Sequence, residues 1–190
     1  ALLKLLRTPN LFSASSVDQW PHQLVSAQMY VHQFLLPIPD IDRTGYFLIL
    51  GANPIASNGS LMTVPDVAKR LKALAVRGKL VVLDPRRTET AEIASEHHFI
   101  RPGTDALFLL AFLQSVLKAG APRIDRFAGK LAGLDEALST VKAFDCSDVE
   151  AHTGITLANI ERLANELSAS DSAVAYGRMG VSTQAYGSPC

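Results

Sequence analysis

Tyr46-Phe47-Leu48-Ile49-Leu50 is an unbroken apolar run halted at once by Gly51-Ala52-Asn53-Pro54, and Lys79-Leu80-Val81-Val82-Leu83 repeats the pattern before Asp84-Pro85-Arg86. Each run is too short for a globular helix and shows no polar alternation, so each reads as a strand buried on both faces, a property of parallel sheets. Between them Val67, Leu71, Leu74 and Ala75 fall on one helical face, with Thr63 and Asp66 forming an N-terminal capping pattern and Gly78 a C-terminal stop. Strand, helix, strand, with small and polar residues after each strand, places a ligand crevice at the carboxyl ends of the strands.

The rest of the chain fits around this unit. Residues 8–20 are polar, with Ser13, Ser15 and Ser16 close together and only Leu11 and Phe12 as anchors, and read as a loop or short strand. Pro21 suits the start of a helix carrying Leu24, Val25, Met29, His32, Phe34 and Leu35 and ended by Pro37 and Pro39. A short helix is expected near 88–95, then a brief strand His98-Phe99-Ile100-Arg101. Thr104 can cap a helix so apolar (Leu107, Phe108, Leu110, Ala111, Leu113, Val116, Leu117) that it must be covered, closed by Gly120 and Pro122. Leu131, Leu134, Leu138 and Val141 mark another helix, and Thr156 caps one with Leu157, Ile160, Leu163, Ala164 and Leu167 on one face. Ala173-Val174-Ala175-Tyr176 reads as a further strand, broken by Gly177-Arg178-Met179-Gly180. The expected fold class is α/β, a Rossmann-like layered domain with a mostly parallel sheet of about four or five strands and helices on both faces.

Composition narrows the partners. Eighteen basic residues balance eighteen acidic ones among 190, so no net field draws the chain to nucleic acid or an anionic membrane. No apolar run approaches the ~18 residues of a membrane span. Cys146 and Cys190 make neither a disulfide framework nor a zinc or iron–sulfur cluster, which points to a reducing, cytoplasmic compartment. Ala1-Leu2-Leu3-Lys4 opens mid-helix without an initiator Met, as an excised segment would, and Asn58-Gly59-Ser60 is read as a chance glycosylation triplet.

Loops 51–60, 84–88, 101–105 and 177–184 follow strand ends and converge on one edge of a right-handed βαβ series. Gly51 lets the backbone approach a phosphate, Asp84 stands where a carboxylate binds ribose or base, Arg86 and Arg87 can clamp phosphate, and Asp105 can accept from a guanine-type donor edge. The plainer alternatives are that Asp84 opens a turn and Asp105 complements a helix dipole. A Gly-x-Gly-x-x-Gly fingerprint is absent. His97 and His98, beside Glu96, point to opposite sides of a strand and read as structural.

Leu-Gly-Ala-Asn-Pro (50–54), Val-Leu-Asp-Pro-Arg-Arg-Thr-Glu-Thr-Ala (82–91), Ile-Arg-Pro-Gly-Thr-Asp-Ala (100–106) and Gly-Arg-Met-Gly-Val-Ser-Thr-Gln (177–184), in this order and spacing, resemble the molybdopterin oxidoreductases of the DMSO reductase family. The resemblance runs from about residue 10 to the end. It implies that Gly51 and Asn53 lie against the phosphates of a molybdopterin guanine dinucleotide, that Asp84 and Arg86 meet its guanosine end, and that Gly103 and Asp105 contact the guanine. It brings Gly177, Met179, Gly180 and Gln184 close to the pterin and metal. The family's metal ligand precedes the Gly-x-Asn-Pro loop; in the comparable segment here Asp18 is the best candidate, a carboxylate suited to hard, oxidised molybdenum or tungsten, and His22 a nearby proton carrier. The alternative is that Asp18 is a helix N-terminal acid and the metal has no protein ligand in this segment.

The resemblance implies two-electron redox chemistry on a small-molecule substrate, electron transfer to or from an acceptor or donor, and a 4Fe-4S cluster in a region ahead of this chain. It divides the chain into 1–40, a remnant of the neighbouring domain with the metal-ligand segment, and 41–190, the dinucleotide-binding domain, with the second cofactor-binding half and the rest of the same polypeptide elsewhere. A chain holding half of such a site is expected to be inactive alone. The competing reading is a non-catalytic Rossmann-like nucleotide-binding or structural subunit domain derived from the family.

Overall fold

The computed structural model describes residues 5–6, 8–10, 12–13, 15, 18–59, 62–120, 124–127 and 129–187. The expectations for Leu11, Ser16, Ser60, Pro122 and Cys190 lie outside those residues. Strands β1 (Tyr46–Leu50), β2 (Lys79–Leu83), β3 (Glu96–His98) and β4 (Ala173–Gly177) form one sheet in the order β3-β2-β1-β4. All pairings are parallel, with Tyr46 opposite Lys79 on one side and Ala173 on the other.

Helices cover both faces because β1 throughout and β2 from Leu80 to Leu83 are apolar and buried, and each face demands a partner. Helices α1 (Trp20–Tyr30), α2 (Val67–Arg77) and α3 (Glu89–Glu92) precede β3. Helices α4 (Asp105–Ala119), α5 (Leu134–Ala143), α6 (Val149–Thr153) and α7 (Leu157–Ala169) lie between β3 and β4, and α8 (Met179–Ser182) follows β4. Tyr46, Leu48, Leu50, Val81 and Leu83 pack with Phe108 and Phe112 of α4 and Ile160 and Leu163 of α7. Phe47, Ile49, Leu80 and Val82 pack with Val67, Leu71 and Leu74 of α2.

β1 and β2 keep the expected bounds, Gly78 closes α2 with its N–H on the Leu74 carbonyl (2.8 Å), and Thr156 caps α7 by accepting from the Asn159 N–H (3.3 Å). Other expectations are corrected. Thr63 and Asp66 both have positive φ and do not cap α2; Val64 precedes Pro65 and is pushed out of the helical region, so no helix can start at Thr63. β3 covers 96–98 rather than 98–101, because its partner β2 ends at Leu83, opposite His98, and Phe99 is left 61% exposed. Thr104 holds the N-cap position of α4, yet its hydroxyl donates to the Arg101 carbonyl. α1 stops at Tyr30, where Val31 turns left-handed, and His32, Phe34 and Leu35 lie outside it. Phe34 and Leu35 are exposed, so no burial repays extending the helix. Leu131 is exposed and precedes α5, which Gly133 opens with a left-handed turn; α6 had no distinct sequence signal.

At the amino ends of β2 and β3, Lys79 bridges Glu96 (2.9 Å) and Glu166, while Arg162 engages the same two carboxylates and His98 Nε2 meets Glu96 (2.8 Å). Burial pulls the Glu96 carboxyl upward, but the hydrogen bonds from Arg162 and Lys79 outweigh it and bring its pKa from 4.5 to about 2. A carboxyl lowered on folding contributes stability above its unfolded pKa and loses it as pH falls through the folded value. Urea unfolding should therefore show stability declining between about pH 4.5 and pH 2, and Glu96→Gln should flatten that decline. An unchanged acid limb in the variant would show that Glu96 does not govern it.

Candidate active-site cleft

The opposite, carboxyl end of the sheet is built around a contact between two glycines. Gly51 ends β1 in the left-handed region (φ +54°), and a β-carbon there would lie 2.7 Å from the Gly180 Cα; one on Gly180 would lie 2.6 Å from the Gly51 Cα. The Gly51 N–H donates to Leu83 of β2 (2.9 Å), and its carbonyl accepts from the Gly180 N–H (2.9 Å). The tip of β1 is thereby tied to both neighbouring strands' loops. Since the chain passes from β3 at one edge to β4 beyond β1, the direction of winding reverses between β1 and β4, where open α/β sheets leave a crevice.

A cleft of about 400 Å³ opens there. Of the residues singled out from sequence, Gly51, Asn53, Asp84, Arg86 and Met179 line it. Asp84 is shaped by its own turn: Oδ1 accepts from the Arg86 N–H (2.8 Å), and its carbonyl meets His97 Nε2 (3.0 Å). Asn53 is turned to its neighbours, accepting from the Thr90 hydroxyl (2.7 Å) and donating to Glu89 (2.6 Å), which fixes the 51–59 loop on α3. The Glu89 carboxyl is held below its ordinary range by its own backbone N–H and by Asn53.

Asp105, Gln184 and Gly180 form a second group behind the wall. Asp105 is 3% exposed and its carboxylate accepts from the Gln184 amide, which also donates to the Gly180 carbonyl. Burial raises the Asp105 pKa, the Gln184 hydrogen bond opposes this, and the charge of Asp84 adds to the rise. Gly103 is left-handed (φ +84°), with open space where a β-carbon would go.

Gly177 and His22 meet at a separate cavity of about 500 Å³ between α1 and the β4–α8 segment. His22 Nδ1 faces the Ser182 hydroxyl (3.1 Å), and Nε2 lies 3.5 Å from the Gly177 carbonyl. Asp18, in the turn before α1, keeps Oδ1 buried with no hydrogen-bond partner among the described residues. Asp18 lines neither cavity. Among the described residues no group of three or more His, Cys, Asp or Glu could hold a metal ion, and no helix is long and apolar enough to cross a membrane.

Sequence reasoning missed Ser57, Thr88, Tyr176 and Arg178 of the cleft wall. Arg178 stood inside a quoted motif, and the alternation of β4 could have pointed Tyr176 and Arg178 the same way.

The fold and cleft define a parallel α/β domain with a ligand crevice at its carboxyl edge. No family model matches the chain. It is 24% identical over 151 residues to the assimilatory nitrate reductase catalytic subunit of Bacillus subtilis, covering 80% of this chain and 21% of that protein. It is 30% identical over 149 residues to formate dehydrogenase H of Escherichia coli, covering 78% of this chain and 20% of that protein. Acetylene hydratase from Pelobacter acetylenicus shares the fold over 98% of this chain and 25% of its own, with a TM-score of 0.75 at 23% identity. The chain is thus a relative of the molybdopterin oxidoreductases of the DMSO reductase family, spanning about a fifth of the length of the curated relatives it matches.

Gly51→Ala should destabilise the domain well beyond Gly103→Ala, because both pay the left-handed backbone cost of about 1–2 kcal/mol but only Gly51 also meets Gly180. Equal urea midpoints for the two variants would contradict the tight β1–β4 contact.

Proposed function

We propose that this chain is the dinucleotide-binding portion of a molybdenum or tungsten oxidoreductase, with the guanosine diphosphate end of a molybdopterin guanine dinucleotide in the cleft at Gly51, Asp84 and Arg86. The observation that carries this reading is the placement of Asp84 and Arg86 on the wall of a crevice whose floor is the Gly51–Gly180 contact. Bound there, the cofactor supplies two-electron chemistry on a small substrate at its metal.

The chain's own residues bind and orient. Gly51 brings backbone to the phosphates without a side chain in the way, and Asn53 holds the loop in that shape. Asp84 accepts hydrogen bonds from ribose or base, and Arg86 faces the phosphates. Asp105 and Gln184, already paired to each other, set the α8 loop so that Gly177, Met179 and Gly180 face the pterin; Asp105 is offered to guanine once Gln184 releases it, and Gly103 shapes the turn ahead of it. The buried Oδ1 of Asp18, without a hydrogen-bond partner among the described residues, is an oxygen donor that suits a metal ligand. His22, the proton carrier in this reading, sits with Nδ1 against the Ser182 hydroxyl (3.1 Å) and Nε2 3.5 Å from the Gly177 carbonyl. Residues 1–40 belong in this reading to a neighbouring domain docked through His22, residues 41–190 to the dinucleotide domain, and a 4Fe-4S cluster to another part of the polypeptide.

Expressed within the whole protein in a host that makes the cofactor, the chain should carry molybdenum or tungsten at about one atom per polypeptide, and Asp84→Ala should lower metal and pterin content together. Full occupancy in that variant would remove Asp84 from the site. A metal-free protein that still binds guanine nucleotides would instead be a non-catalytic nucleotide-binding module.

A further inference from the structure

Arg178 has no role in the reading above, yet its side chain lines the same cleft. Its backbone is fixed from both sides: the N–H donates to Leu50 of β1 (3.3 Å), and the carbonyl accepts from Val181 (2.9 Å) and from both the N–H and the hydroxyl of Ser182 (3.0 and 3.2 Å). The guanidinium, in contrast, makes no ion pair or hydrogen bond with any described residue. Arg86 is alike. Its charge helps to lower the Glu89 carboxyl without an ion pair forming between them. Two guanidinium groups therefore face the cleft against one lining carboxylate, Asp84, in a chain whose overall charge is zero.

Their placement follows from strand order. Arg86 rides the loop after β2 and Arg178 the loop after β4, the strands flanking β1. Two inter-strand spacings, about 10 Å, separate their roots, and the Gly51 tip, stripped of side chain, lies between. Two long planar cations reaching inward across a bare backbone match an anion with oxygens on two linked centres better than a single phosphate.

Resting on the cleft assignment above, we propose that Arg178 and Arg86 form a two-sided clamp for a diphosphate, with Arg178 the binding residue on the β4 side. Arg178 confers affinity for the phosphates and not for the nucleoside. Its fork geometry matters as well as its charge, so lysine restores the function only in part.

Calorimetric titration of the 190-residue chain with GDP, guanosine and inorganic pyrophosphate tests this. The wild type should bind GDP more tightly than guanosine, with an affinity that falls as salt is raised. Arg178→Ala and Arg86→Ala should each weaken GDP and pyrophosphate by about tenfold to a hundredfold, leave guanosine unchanged and melt like the wild type, and Arg178→Lys should fall between. Wild-type GDP affinity in Arg178→Ala, or an equal loss of guanosine binding, would overturn the clamp while leaving the cleft assignment standing. A wild type that binds neither GDP nor guanosine would overturn both.

Discussion

The backbones of Gly51 and Gly180 touch at a distance that leaves no room for a β-carbon on either, and the arrangement of the carboxyl edge depends on that contact. It holds the loops of β1 and β4 together, while the Gly51 N–H on Leu83 holds β1 to β2. Three consecutive loops in space are thereby locked into one rim, though they are distant in sequence. A side chain at either glycine would have to part the strands, and the cleft with its Asp84 and Arg86 wall would lose its floor.

The two ends of the sheet divide the labour. At the amino end, charges are consumed by one another: Lys79 and Arg162 share Glu96 and Glu166, with Tyr46 buried beneath them, its hydroxyl on the Leu163 carbonyl (3.4 Å) and its pKa raised by burial first and Glu166 second. At the carboxyl end, the guanidinium groups of Arg86 and Arg178 pair with no described residue, and a buried carboxylate is held by an amide rather than a cation. Internal pairing satisfies the charges at one end, while at the other Asp84, Arg86 and Arg178 line an open cleft. The apolar layers between, from Leu48 to Phe108 and from Phe47 to Leu71, separate the two.

Much of this was legible in the sequence where burial was two-sided. β1 and β2 announce their bounds because their apolar runs are unbroken from Tyr46 to Leu50 and from Leu80 to Leu83 and the stops are abrupt, and Thr156 announces α7 because its hydroxyl caps the first turn. The failures arise where tertiary context decides. β3 ends where its partner ends, a fact absent from its own residues, and α1 stops for want of a surface to cover. The cleft residues on loops with turn-forming chemistry, Gly51, Asp84 and Arg86, could be named in advance. Tyr176 and Arg178 were not, because the alternation of β4 aims them together but their entry into the cleft depends on β4 lying beside β1 rather than beside β3.

That adjacency also sets an order of events. β1 meets β2 through a local strand–helix–strand unit, whereas the hydrogen bond from Gly45 to Ser172 joins positions 127 apart in the chain. Closing so long a loop is entropically costly and slow relative to local pairing. The β4 side of the cleft therefore arrives last as the chain folds, and a nascent or partly unfolded molecule carries Asp84 and Arg86 without the wall that completes them. Completion of the cleft is in this sense a late checkpoint of folding, met only after the rest of the domain has formed.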